Sequence, residues 1–145
     1  MIDLKNIDSA TLTESEKLII KTKSIIENLY SPFMSYLFKL IDEKNLTDVE
    51  VYKRAHLDRR IFSKIRKNNG YIPSKRTILA IAFGMRLTIA ETNNLLRRAG
   101  YELTPSRKND IVMKYFFENE IYDIFTINEV LEHYGFKTLG DSLAA

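Results

Sequence analysis

Apolar residues recur along this chain at spacings of three and four, and no stretch alternates residue by residue long enough to build a strand. Phe33, Leu37, Leu40 and Ile41 make one stripe, and Ile78, Leu79, Ala82 and Met85 a second. Leu95, Leu96 and Ala99 make a third, with Ile111, Val112, Tyr115 and Phe116 a fourth. The punctuation between stripes is legible. Four Thr-x-x-Glu boxes (Thr13–Glu16, Thr47–Glu50, Thr88–Glu91, Thr126–Glu129) stand ahead of apolar runs. In each, the hydroxyl can accept the N–H three residues on while the carboxylate reaches back. Gly100 and Gly135 follow runs and suit the left-handed position past a helix end. Pro32, Pro73 and Pro105 suit first turns, and Thr104-Pro105 reads as an N-cap with proline at the first helical position. Together these signals predict helices over roughly 13–29, 32–44, 48–55, 59–67, 74–85, 89–99, 105–119 and 127–134. The fold class is all-α.

The helices over 48–55 and 59–67 are short, joined by about three residues, which is the spacing of a helix-turn-helix. Asp58 is the expected cap of the second. At about 100° per residue, its Ile61, Phe62 and Ile65 share one face. Arg60, Ser63 and Lys67 fall opposite, flanked by Arg59, Lys64 and Arg66. A helix held by its apolar third and basic outside fits a major groove, whose width admits one helix.

Charge sharpens this picture. The net value of +3 over 145 residues hides a segregation. Residues 1–52 carry 6 basic and 9 acidic side chains, residues 53–108 carry 14 and 3, and residues 109–145 carry 2 and 7. A basic middle between acidic ends is the footprint of a nucleic-acid surface confined to one region. Other chemistry has little to stand on. There is no cysteine, and His56 and His133 lack ligand-like spacing, so no metal or cofactor is expected. No P-loop, nucleophile elbow, dinucleotide fingerprint or His-Glu metal box occurs, so an enzyme is not expected. No apolar run approaches the roughly 18 residues of a membrane span. The opening MIDLKNIDSATLTESEK is polar and mixed in charge, unlike a secretory signal, and the expected location is the cytoplasm.

With these residues in view, the chain resembles the Cro/lambda-repressor-like (XRE-type) helix-turn-helix family from about Phe33 to Leu96. The resemblance rests on LTDVEVYKRAHLDRRIFSKIRKN and YIPSKRTILAIAFGMRLTIAETNNLL. Leu46 and Thr47 match the family's opening of its second helix, Leu57 the apolar turn residue, and Asp58 the polar cap. Phe62, Ser63 and Ile65 match the buried signature of the recognition helix, and Pro73-Ser74 the start of the fourth helix. Leu79, Ala82, Met85, Leu87 and Thr88 match the closing aliphatic pattern. The sequence departs from the family at Tyr52, where a small Ala is usual, at His56, where Gly is usual, and by two residues inserted around Asn69-Gly70. Residues 37–106 are also similar to a helix-turn-helix segment appended to some bacterial macrodomain-type proteins.

The resemblance implies a five-helix helix-turn-helix core over 32–103, preceded by an N-terminal arm and helix over 1–31. An acidic two-helix extension follows over 104–145. It further implies a transcription regulator that lays helix 59–67 in the major groove of double-stranded DNA. The residues expected at that interface are Arg59, Arg60, Ser63, Lys64 and Lys67, then Asn68 and Asn69 in the loop. Lys75 and Arg76 are expected at a helix start that favours phosphate. Dimerisation on a two-fold site is expected, because one such domain is small for tight specific binding. Alternatives stay open at this point. The basic face can be ordinary solvation, can take RNA, or can engage an acidic protein. Arg97, Arg98, Arg107 and Lys108 either extend it or lie behind it. The acidic C-terminal helices either hold a dimer, pack on the domain, or receive a protein partner.

Overall fold

The computed structural model describes residues 11–27, 32–67 and 70–140. Among them are eight helices and no strand: α1 (Glu14–Glu27), α2 (Pro32–Glu43), α3 (Asp48–Arg54), α4 (Arg60–Arg66), α5 (Lys75–Gly84), α6 (Ile89–Arg98), α7 (Lys108–Glu118) and α8 (Ile124–His133). The chain divides into two compact units, Met1–Tyr30 and Ser31–Ala145. In the first, α1 starts at a reciprocal box: Glu16 N–H donates to Thr13 Oγ1 at 3.1 Å and Thr13 N–H to Glu16 Oε1 at 3.2 Å. No helix among the described residues is long and apolar enough to cross a membrane.

The second unit is organised around α5. Its residues from Ile78 through Gly84 are all buried, as expected of a helix apolar on every side. It packs against α3, α6 and α8. The α3 crossing is unusually close. A Cβ on Gly84 would stand 3.0 Å from Ala55 N and from Val51 O, so only glycine lets the two backbones approach this far. The small residues needed for close packing are thus Ala55 and Gly84. Tyr52 instead lies half-buried against the Phe62 ring at 6.2 Å, where its bulk is accommodated.

Helix ends share one device. After α2, α3, α5, α6, α7 and α8, one residue takes a left-handed conformation and an apolar residue follows it. The residue pairs are Asn45-Leu46, His56-Leu57, Arg86-Leu87, Gly100-Tyr101, Glu120-Ile121 and Gly135-Phe136. Each apolar residue donates its N–H back five residues, from Leu46 to Ile41 O through Phe136 to Leu131 O. This is the Schellman arrangement, which satisfies a carbonyl the helix leaves open and turns an apolar side chain inward. Two glycines advertise it in the sequence; four other sites use Asn, His, Arg or Glu.

The last two helices begin elsewhere than the sequence signals indicate. Thr104-Pro105 does not start α7. Thr104 Oγ1 accepts the Ser106 N–H, its own N–H goes to the Asp110 carboxylate, and the helix begins only at Lys108. The Thr126–Glu129 box does not start α8 either. Asp123 is the N-cap, and its carboxylate accepts both the N–H and hydroxyl of Thr126. Starting one turn earlier brings Ile124 inward with Ile127 and Leu131, all essentially fully buried. Burial of one such side chain is worth about 1.5–3 kcal/mol, more than the choice between two caps.

The acidic extension packs on this unit. Phe117 of α7 stacks on Phe83 of α5, centroids 4.0 Å apart and rings nearly parallel, while Phe116 meets Phe83 edge-on. Beyond α8 the chain returns. Asn128 clasps the Leu139 backbone at both N–H (2.7 Å) and carbonyl (3.0 Å), and Leu139 is buried. Next to it, a Cβ on Gly140 would come within 2.8 Å of the His56 Cβ. His56, in turn, sets its ring edge-on to Phe125 of α8 at 4.5 Å. The turn between α3 and α4 is therefore braced by the C-terminal segment.

Candidate nucleic-acid interface

The turn before α4 explains its orientation. Leu57 is buried and ties its N–H to Tyr52 O at 2.8 Å, so the chain leaves α3 with a fixed direction. Asp58, expected as the cap, accepts the Arg60 N–H at 2.8 Å from one residue further out; the N-cap position itself is held by Arg59, whose side chain makes no capping bond. On α4, Phe62 and Ile65 are each 2% exposed and Ile61 is half-buried. Phe62 lies edge-on to Phe38 of α2 at 6.3 Å, which fixes the helix to the body. Arg59, Arg60, Ser63, Lys64, Arg66 and Lys67 are all exposed.

Exposure does not make these cations equivalent. Arg60 forks onto Asp58 through Nε (3.0 Å) and Nη2 (2.9 Å). The side-chain and backbone hydrogen bonds from Arg60 hold the Asp58 carboxyl down at about 2. Arg66 makes a second fork onto Asp48 at 2.6 and 2.8 Å, which raises its pKa, and its guanidinium lies 3.9 Å from the Phe38 ring centroid. Lys64 approaches the Tyr71 ring at 5.8 Å. Arg59 adds its field to the neighbouring Asp58, and neither Arg59 nor Lys67 closes an ion pair within 4 Å among the described residues. Asn68 and Asn69 lie outside the described residues.

The two forks differ in what it takes to open them. Arg60 is 72% exposed and its partner is two residues away, so solvent screens the pair and holds it only loosely. Arg66 is stacked as well as paired, and it joins α4 to α2 and α3 as a structural tie.

At α5, the Ser74 hydroxyl accepts the Thr77 N–H at 3.2 Å. Lys75, expected at a phosphate, instead sends its ammonium to Asp110 of α7 at 2.7 Å; that carboxylate is 2% exposed and Lys75 only 21%. The reason is tertiary: a buried carboxylate needs a cation, and Lys75 is within reach. Arg76 is half-buried beside it and lines a cleft of about 260 Å³ together with Arg107 and Lys137. Of the flanking cations, Arg107 thus joins Arg76. Arg98 turns to α2, its guanidinium 4.5 Å from the Tyr36 ring centroid. Sequence reading missed Lys137, which sits in the acidic third of the chain, and the two carboxylates that neutralise Arg66 and Lys75. Those partners are 18 and 35 residues away, and no local pattern announces them.

A separate concavity of about 240 Å³ lies at the other end of α5, lined by Arg54, His56, Arg86, Tyr122 and Asp123. Arg54 leans to Glu50 at 3.5 Å, and the hydrogen bonds from Thr126 hold the Asp123 carboxyl below its ordinary pKa range, with His56 nearby. No group of three or more His, Asp or Glu side chains among the described residues converges as metal ligands.

No family model, curated protein or solved structure matches this chain.

Proposed function

We propose that this chain binds double-stranded DNA with α4 in the major groove and acts in the cytoplasm as a bacterial or phage transcription regulator of the Cro/lambda-repressor-like type. One observation carries the reading. Phe62 and Ile65 anchor a short helix after a tight turn, and its outer face presents Arg59, Arg60, Ser63, Lys64 and Lys67 to solvent. Ser63 is small enough for close approach, Arg60 is oriented by a fork it can give up, and Arg59, Lys64 and Lys67 are available to phosphates. Arg76 supplies a further phosphate contact at the start of α5. Lys75 has a structural role instead. A two-fold dimer would address half-sites about 34 Å apart.

The test is a gel shift on duplex DNA at two salt concentrations, with wild type and Arg59→Ala plus Lys64→Ala. Each lost phosphate contact lowers the log–log salt slope by about 0.9, so the variant is expected to fall by about 1.8. Failure of the wild type to retard duplex at low salt overturns the reading, and preference for structured RNA redirects it to RNA. A second reading, a protein-interaction adaptor on the same scaffold, has its own observation. Ile111 and Tyr115, one turn apart on α7, are 52% and 58% exposed, and Phe125 on α8 is 69% exposed. A pull-down partner that survives nuclease and is lost with Tyr115→Ser would favour it.

A further inference from the structure

The cleft at the start of α5 has an unusual balance of charge. Four cations line it, Lys75, Arg76, Arg107 and Lys137, against one carboxylate, Asp110. Asp110 is taken up by Lys75 at 2.7 Å. Arg76, Arg107 and Lys137 have no ion pair among the described residues. They come from three separate segments: the first turn of α5, the residue before α7, and the segment beyond α8. Like charges gathered by folding repel, and a cleft that keeps three of them together beside one carboxylate already paired is suited to an anion. At about 260 Å³ it falls below the usual range of cofactor pockets and suits a small oxyanion group.

We propose that this cleft seats a backbone phosphate of the same duplex that α4 reads, with Arg107 and Lys137 forming a clamp supplied by the C-terminal extension. The inference rests on the DNA-binding reading and deepens it. Continuity along the chain supports the shared ligand. The Lys64 ammonium of α4 lies 5.8 Å from the Tyr71 ring centroid, and Tyr71 is four residues before Lys75, a span of at most roughly 14 Å. That is less than half of one duplex turn of about 34 Å, so one DNA segment can meet both surfaces. The Lys75–Asp110 pair has a defined part here: it fixes α7 to α5 and so holds Arg107 beside Arg76. Asp110, neutralised in this way, does not repel the phosphate.

The experiment measures duplex binding by fluorescence anisotropy over a salt series, using the full chain. Four proteins are compared: wild type, Arg107→Ala plus Lys137→Ala, Arg59→Ala plus Lys64→Ala, and a charge-matched control, Lys39→Ala plus Lys114→Ala. All altered positions are exposed, and far-ultraviolet circular dichroism verifies each fold. The Arg107/Lys137 variant is expected to lose about 0.9–1.8 from the log–log slope, with the control within about 0.3 of wild type. An unchanged slope in that variant, with binding still lost in the α4 variant, overturns the clamp and leaves the α4 reading standing. An equal drop in the control assigns the effect to diffuse charge and also overturns the clamp. No binding by wild type overturns both.

Discussion

Replacing Lys75 by methionine preserves most of the side chain's length and apolar stem but deletes its charge, leaving the Asp110 carboxylate 2% exposed without its cation. Removing one member of a buried ion pair costs about 3–5 kcal/mol, because the other charge stays in a poor solvent. Lys75 is 21% exposed, so water reaches part of the pair and the expected cost falls to about 2–4 kcal/mol. With a urea m-value of about 2 kcal/mol/M, the midpoint should drop by about 1–2 M. Asp110→Asn isolates the charge: its amide oxygen can still accept the Thr104 N–H, now at 3.0 Å, but no anion remains. In that background Lys75→Met should cost under about 1 kcal/mol, giving a coupling of at least about 1 kcal/mol in the double-mutant cycle. A coupling below about 0.5 kcal/mol would refute the claim that Lys75 serves Asp110. It would also return Lys75 to the pool of cations available for phosphate.

Three further outcomes follow from the same packing. Gly84→Ala should destabilise by about 1–3 kcal/mol in urea unfolding, because its Cβ meets backbone atoms at 3.0 Å, although alanine is ordinarily the better helix former; a gain in stability would mean that α3 and α5 can separate freely. Gly140→Ala combines a φ of +83° with a Cβ 2.8 Å from that of His56. Hydrogen exchange should accelerate at Leu139 and around the α3–α4 turn; unchanged protection there would show that the C-terminal segment does not brace the turn. Asp58 titrates at about 2 in the folded chain against about 3.9 for an unperturbed aspartate. Its contribution to stability is present above pH 4 and is lost as pH falls towards 2. Asp58→Asn should flatten this acid limb, and identical acid limbs in the two proteins would count against the pair.

Much of the architecture was legible because it depends on local physics. Apolar stripes at helical spacing, a threonine three residues before a glutamate, and glycines after apolar runs put most helix limits within a residue or two of α1–α6. The Thr88–Glu91 box forms in full, with each partner bonding the other's backbone. The ends of α2, α3, α5 and α7 also fall within a residue of the expected limits, but the device that closes them carries no glycine signal. Asn45, His56, Arg86 and Glu120 adopt left-handed backbone without being glycine, and the apolar residue behind each is the signal that was available. The starts of α7 and α8 were misread, because Asp110 and Ile124 are placed by what they bury against.

The all-helical class, the short helix pair expected over 48–55 and 59–67, and the division of α4 into apolar and basic sides are all local properties of the chain. Those follow from periodicity and capping within a few residues. Which cations remain available is set by packing between distant segments. Arg66 and Lys75 are committed to Asp48 and Asp110, while Arg76, Arg107 and Lys137 meet in one cleft. A charge is worth what its surroundings make of it, and those surroundings here come from segments 18 to more than 30 residues away.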